Sequence, residues 1–292
     1  MGDEMHPALK SPLLAAFACL VSWSVAAQSA EASRTSREQI LRIPAAGGAS
    51  LVATVVRPPT EDRRPLAVIN HGSPADSSQR HRMEQPRYPA LSSWFVSRGY
   101  IVVLPERRGY GETGGSWAED YGSCRSPDYF GAGLQGAADI KATLDYMRGQ
   151  PYVAPDRTIV IGQSAGGWAT VALSSLNPPA VAGMINFAGG RGGHQKLAGG
   201  GMGNCEPDAL VKAAGRYGAT ARVPMLWLYT QNDSFFEPRL ARRMADAYDA
   251  AGGHATLKAL GPFGSDGHLL ASSSDGVPMW STPVADFLAS LK

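Results

Sequence analysis

Cysteine is scarce in this chain of 292 residues, with three in all at positions 19, 124 and 205. Long apolar runs are scarcer still. Leu13 to Ala27 is one, and no other stretch approaches the roughly 20 apolar residues that a membrane span requires. An excess of charge of one sign is missing too. The 27 basic and 25 acidic residues leave a net charge of +2, and the basic residues are scattered. Their densest cluster, Arg80 to Arg87, includes His81 and Glu84 and reads as a solvated loop, so nucleic acid is not an expected partner. No internal repeat, low-complexity tract or linker divides the remainder. With 44% hydrophobic residues the chain is long enough for one large core, and residues 38–292 read as a single domain.

The apolar run near the N-terminus follows Lys10 and is succeeded by small residues at Ala27 and Ala30 to Ala32. That is the pattern of a secretory signal peptide over residues 1–27, with cleavage as late as 32. Asp3 and Glu4 are foreign to the first region of a signal, which favours Met5 as the true start. Ala16-Phe17-Ala18 lacks the branched aliphatic residue expected three positions before a lipid-bearing cysteine, so Cys19 is not read as an anchor. The mature chain is therefore expected in the periplasm or outside the cell. It retains Cys124 and Cys205, both in Gly-rich loop sequence. An even pair in an exported chain invites a disulfide, with two free thiols as the alternative.

The order of elements follows from hydrophobic patterning. Glu38 to Pro44 and Ser50 to Arg57, separated by a Gly-Gly turn, predict an antiparallel hairpin at a sheet edge. Leu66–Asn70, Tyr100–Leu104, Thr158–Ile161, Val181–Phe187, Pro224–Tyr229 and His254–Leu260 are short apolar runs of buried-strand type. Helices are expected between and after them, over Ala90–Arg98, Gly133–Arg148, Gly167–Leu176, Pro207–Tyr217, Pro238–Ala251 and Val284–Leu291. This alternation predicts an α/β architecture, a mostly parallel central sheet with helices on both faces.

The chemistry is concentrated in Gly162-Gln163-Ser164-Ala165-Gly166, a G-x-S-x-G pattern directly after an apolar strand and directly before a helix. Small residues beside the serine suit a sharp strand-to-helix turn that exposes a nucleophile. A serine hydroxyl is a weak nucleophile, so it needs a base within hydrogen-bond reach and an acid to orient that base. Asp233 follows the strand ending at Tyr229, and His268 lies in the loop after the last strand. Both would then meet at the carboxyl edge of the sheet, where sites of open α/β sheets gather. Asp266 is the rival carboxylate, and His71, His81, His194 and His254 read as structural. For the oxyanion of a tetrahedral intermediate, the backbone amides of Ala165 and of Ser73, in His71-Gly72-Ser73-Pro74, are the candidate donors.

These landmarks, with Arg107-Arg108-Gly109-Tyr110-Gly111-Glu112-Thr113-Gly114-Gly115, stand in the order found in the α/β-hydrolase fold. The mature chain resembles its dienelactone-hydrolase-like and prolyl-oligopeptidase-like branches. The resemblance implies a Ser164–Asp233–His268 triad, an oxyanion hole from Ser73 and Ala165, and a supporting role for the loop that begins at Arg107 and Arg108. It departs from dienelactone hydrolase in using serine where that enzyme uses cysteine. The short, Gly-rich interval Ala188 to Val223 leaves no large cap domain, so an open, shallow site is expected. Tyr110 and Phe235 are candidate substrate contacts, ahead of Trp117, Trp168 and Phe236. The expected activity is that of an exported carboxylic ester hydrolase working without metal or organic cofactor on a small-molecule or oligomeric ester. An amidase or peptidase is the alternative, although prolyl-oligopeptidase-like enzymes normally carry a propeller for which this length has no room. An acyltransferase would use the same residues, and a non-catalytic binding protein could keep the same fold.

Overall fold

A computed structural model describes residues 1–2, 36–196 and 202–291. The expected signal segment lies outside these residues from position 3 onward. Among the described residues, no helix is long and apolar enough to cross a membrane.

The alternating apolar runs assemble into one eight-stranded sheet. In chain order the strands are β1 (Arg37–Pro44), β2 (Ser50–Arg57), β3 (Leu66–Asn70), β4 (Ile101–Pro105), β5 (Thr158–Gln163), β6 (Val181–Phe187), β9 (Met225–Thr230) and β10 (Ala255–Leu260). β7 (Gln195–Lys196) and β8 (Met202–Gly203) form a separate two-residue ribbon. The spatial order is β1-β2-β4-β3-β5-β6-β9-β10. β1 and β2 pair antiparallel, β2 runs antiparallel to β4, and every later pair is parallel. β3, β4, β5 and β9 are buried along their whole length, which explains why their sequences run apolar without alternation.

Six helices cover the sheet: α1 (Pro89–Val96), α2 (Tyr129–Arg148), α3 (Ala165–Ser174), α4 (Pro207–Gly218), α5 (Pro238–Ala250) and α6 (Val277–Ser290). Residues of α2 to α5 fill one core, around Trp168, Tyr217 and Met244. Those of α1 and α6 fill the core on the opposite face, around Phe95 and Trp280. Parallel strands linked through helices on both faces leave all their carboxyl ends on one edge, and that edge carries the loops after β3, β5, β9 and β10.

Two helices, α2 and α6, start a full turn or more earlier than their patterns suggest. α6 begins at Val277 and carries Pro283 inside it, whereas the sequence reading starts the helix after that proline. Fully buried Trp280, edge-on to Trp94 and Phe187, holds the extra turn in place despite the lost backbone donor. α2 begins at Tyr129, where the Asp128 side chain accepts from the Gly131 amide as an N-cap. Between Ala188 and Val223 the described residues contain the short ribbon and α4 alone as regular elements.

Candidate active site

Ser164 sits between β5 and α3 with φ 54° and ψ −120°, a conformation seldom adopted by a residue with a side chain. The surroundings hold it there. Its amide donates to the Phe187 carbonyl at 3.0 Å, and its carbonyl accepts from Trp168 at 2.9 Å. The flanking glycines make the turn sterically possible. A Cβ on Gly162 would stand 2.2 Å from the Gly166 carbonyl oxygen, and one on Gly166 would stand 2.3 Å from the Asn70 carbonyl oxygen. The elbow thus wedges itself between its own helix and the end of β3, which leaves the serine hydroxyl at the edge of the sheet.

The three residues singled out for acid–base chemistry meet there. The Ser164 hydroxyl lies 2.9 Å from His268 Nε2. His268 Nδ1 lies 3.0 and 3.2 Å from the two oxygens of Asp233. A carboxylate only accepts, so Nδ1 carries the proton and Nε2 is free to accept the serine proton. Asp233 also accepts from the amides of Phe235 and Phe236, each at 2.9 Å. These contacts point its other lone pairs at the imidazole. Phe235 then stacks on the His268 ring at 4.1 Å between centroids, and His194 also stacks on Phe235, at 4.9 Å. A half-buried aromatic therefore covers one face of the imidazole.

Asp266, the rival carboxylate, fastens the histidine loop instead. It accepts from the His268 amide, the Ser234 amide and the Ser234 hydroxyl. Burial alone would raise its pKa, but these donors favour the charged form and bring it below the ordinary value.

The oxyanion candidates come from two separate segments beside the serine. Ala165 is the first residue of α3, so its amide has no carbonyl one turn back within the helix. The loop carrying Ser73 crosses the elbow closely: a Cβ on Gly72 would sit 3.2 Å from Ser164 Cβ. Tyr110 does not present a surface to substrate as expected. It is fully buried, edge-on to His71 at 4.7 Å, accepting from Trp117 Nε1 at 3.1 Å and donating to Glu119 Oε2 at 3.3 Å. The reason is a buried carboxylate that needs donors, Glu119, with the Arg107 guanidinium 5.3 Å from the centre of the Tyr110 ring and positive charge around it.

That charge belongs to a network in which the supporting arginine expected at Arg107 is joined by Glu119 and Arg191, which the sequence reading left unassigned. Glu119, fully buried, pairs with both Arg107 and Arg191. Arg107 also donates to the His71 carbonyl at 2.8 Å, while its own amide donates to His71 Nε2 at 3.2 Å. His71 Nδ1 in turn donates to the Gly72 carbonyl at 2.6 Å. His71 is therefore neutral, and burial, reinforced by the Arg107 charge, holds its pKa well below 6.5. Arg108 forms a separate pair with Asp139 at 2.6 Å. No sequence signal distinguishes Glu119 or Arg191 from surface residues, because Arg191 meets Glu119 across 72 residues of chain.

Cys124 and Cys205 are joined, with Cα atoms 5.2 Å apart. The bond ties the loop after β4, which holds Glu119, to the loop after β6, which holds Arg191. Glu119 stands five positions before Cys124, and the Cys205 amide donates to the carbonyl of Gly192, next to Arg191, at 2.8 Å. Trp168 and Phe236 are buried core, and Trp117 is partly buried beneath the Arg80 guanidinium, 3.4 Å above its ring.

Comparison with known proteins agrees with this architecture. Residues 47–254 match the family model described as X-Pro dipeptidyl-peptidase (S15 family). A stretch of 145 residues, 49% of this chain, is 28% identical to dipeptidyl-peptidase 5 of Porphyromonas gingivalis and spans 20% of that protein's length. The fold resembles an esterase of Pyrococcus furiosus with a TM-score of 0.63 at 14% identity, covering 89% of this chain and 94% of the other. It also resembles the acylaminoacyl peptidase of Pyrococcus horikoshii with a TM-score of 0.62 at 18% identity, covering 88% of this chain and 42% of the other.

Proposed function

The chain belongs to the X-Pro dipeptidyl-peptidase (S15) family within the α/β-hydrolases, and from that premise we propose an exported serine esterase whose 38–292 unit cleaves a carboxylic ester through Ser164, His268 and Asp233. The observation that carries the reading is the chain of contacts from the Ser164 hydroxyl through His268 to Asp233, at 2.9 and 3.0 Å. In the proposed reaction His268 removes the Ser164 proton as Oγ attacks the ester carbonyl. The Ala165 and Ser73 amides receive the developing negative charge, and His268 then protonates the departing alcohol. Water, deprotonated by the same imidazole, releases the acid from Ser164. The cystine supports an exported protein, since such bonds persist in oxidising compartments.

The state of the carboxylates favours an ester. Asp233, Asp266 and Glu119 are each bonded inside the protein. A neutral substrate suits that arrangement better than the charged amino-terminus of a peptide. The family match favours peptide cleavage as a second reading. Purified protein and its Ser164→Ala variant, assayed on p-nitrophenyl esters of increasing acyl length and on an Xaa-Pro p-nitroanilide, separate the two. Ester turnover that disappears in the variant, without anilide turnover, is the expected result; the reverse pattern replaces the esterase with a peptidase. Assays with an added alcohol acceptor detect acyl transfer.

A further inference from the structure

Gln163, the variable position before the serine in the elbow, is one link of a continuous hydrogen-bond chain. The Gly72 amide donates to the Tyr88 hydroxyl at 3.1 Å. That hydroxyl donates to Gln163 Oε1 at 2.9 Å, and Gln163 Nε2 donates to the His268 carbonyl at 3.1 Å. Each group is used in its proper sense, with donors meeting acceptors throughout. The chain begins on the loop proposed to bind the oxyanion, passes the nucleophile's immediate neighbour and ends on the backbone of the proposed base.

We propose that Tyr88 and Gln163 are positioning residues that set the spacing of the oxyanion loop and the histidine loop about Ser164. This inference rests on the serine-hydrolase reading of Ser164 and His268. Two further features point to the same pair. Tyr88 adopts φ 42° and ψ 59°, a left-handed conformation that a tyrosine just before Pro89 holds only under external constraint. At Gly72 a Cβ would lie 2.5 Å from Gln163 Oε1, so the oxyanion loop approaches the glutamine more closely than any side chain would permit. Burial raises the Tyr88 pKa, against the opposing pull of the Gly72 amide, and keeps the hydroxyl protonated as the donor that the chain needs. Gln163 is also buried, so breaking one link leaves a polar atom without water to replace its partner.

The consequence is kinetic. The oxyanion donors must sit near 3 Å from an oxygen that becomes charged only in the transition state, and a shift of the loop or of the imidazole costs rate without loosening ground-state binding. A fluorophosphonate probe reads this without knowledge of the natural substrate. Ser164 Oγ bonds to phosphorus, fluoride leaves, and the serine proton passes to His268. For Tyr88→Phe, which keeps the ring and its packing, and for Gln163→Leu, the labelling rate constant is expected to fall about 10- to 100-fold. Where an ester is turned over, kcat should fall in step while KM stays within about twofold, as for an interaction made only in the transition state. The double variant should be no slower than the slower single one, because both break the same chain.

Gln163→Glu keeps the acceptor for Tyr88 and loses the donor to His268. It should lie between wild type and Gln163→Leu, and it carries the test if Tyr88→Phe does not fold. Wild-type labelling rates in the singles, a double variant whose loss is the product of theirs, or a KM that rises as kcat falls would each overturn the relay. Wild-type protein left unlabelled at Ser164 overturns the serine-hydrolase reading, and the relay with it. Normal labelling in the wild type beside unaffected variants overturns the relay alone.

Discussion

The elbow around Ser164 and the buried Arg107–Glu119–Arg191 cluster lie at the same edge of the sheet but are built in opposite ways. The elbow is local. Gly162, Ser164 and Gly166 are close in sequence, and the shape of the turn follows from which of them lack a side chain. The cluster is remote. Glu119 and its two arginines come from loops after β4 and after β6, closed by a disulfide whose cysteines are 81 residues apart. One arrangement presents the proposed nucleophile, and the other holds His71, two residues before the proposed oxyanion donor Ser73. The contrast teaches that reactivity and rigidity at this site have separate origins, so they should be separable by mutation.

The largest effect should come from Ser164→Ala. Loss of a nucleophile in a triad costs about 10⁴- to 10⁶-fold in kcat, and thermal denaturation should show a melting temperature close to wild type. Glu119→Gln should do the reverse. It leaves two buried guanidiniums short of a charge partner, a change that typically costs about 3–5 kcal/mol. Urea unfolding measures that loss, and a variant as stable as wild type would mean that the cluster does not brace the site. Replacing Cys124 and Cys205 together by serine should lower stability by about 2–4 kcal/mol, through the freedom returned to the unfolded chain. Titration with urea in the absence of reductant checks it, and wild-type protein with reductant should match the variant.

The smallest expected effect is a pH slope at His71. Its folded pKa is depressed, so the unfolded chain binds a proton below about 6.5 that the native state refuses. The stabilisation is complete above that pH and is lost as pH falls toward the folded pKa, by up to about 1.4 kcal/mol per pH unit. Unfolding midpoints at pH 7.5 and 5.5 should therefore differ more for wild type than for His71→Asn. Equal differences would mean that another group governs the acid side.

Much of this was legible before any coordinates. β3 and β6 have the limits that their apolar runs suggest, and the G-x-S-x-G pattern lies where strand meets helix. Legibility stopped where local signals compete. Pro283 reads as a helix start, yet the burial of Trp280 extends α6 back to Val277. Tyr110 was a candidate substrate contact, yet it is buried against His71 and the Arg107 guanidinium. Gln163 fills an unspecified position of the G-x-S-x-G pattern, and its bonds to Tyr88 and His268 emerge only when three loops converge.

Residue order alone was enough for the α/β architecture, the strand-to-helix turn and the naming of Ser164 and His268, with Asp233 or its rival Asp266, as candidates. These depend on side-chain periodicity, on the absence of Cβ atoms beside the serine and on the position of loops relative to strand ends. Folding alone settled that Asp233 and not Asp266 faces the imidazole, that Tyr110 lies inward, and that Glu119 draws in Arg107 and Arg191. Those outcomes depend on which buried donors find which acceptors. Partners in such pairs are far apart in the chain, and the cost of leaving one unmatched arises only once water has been excluded.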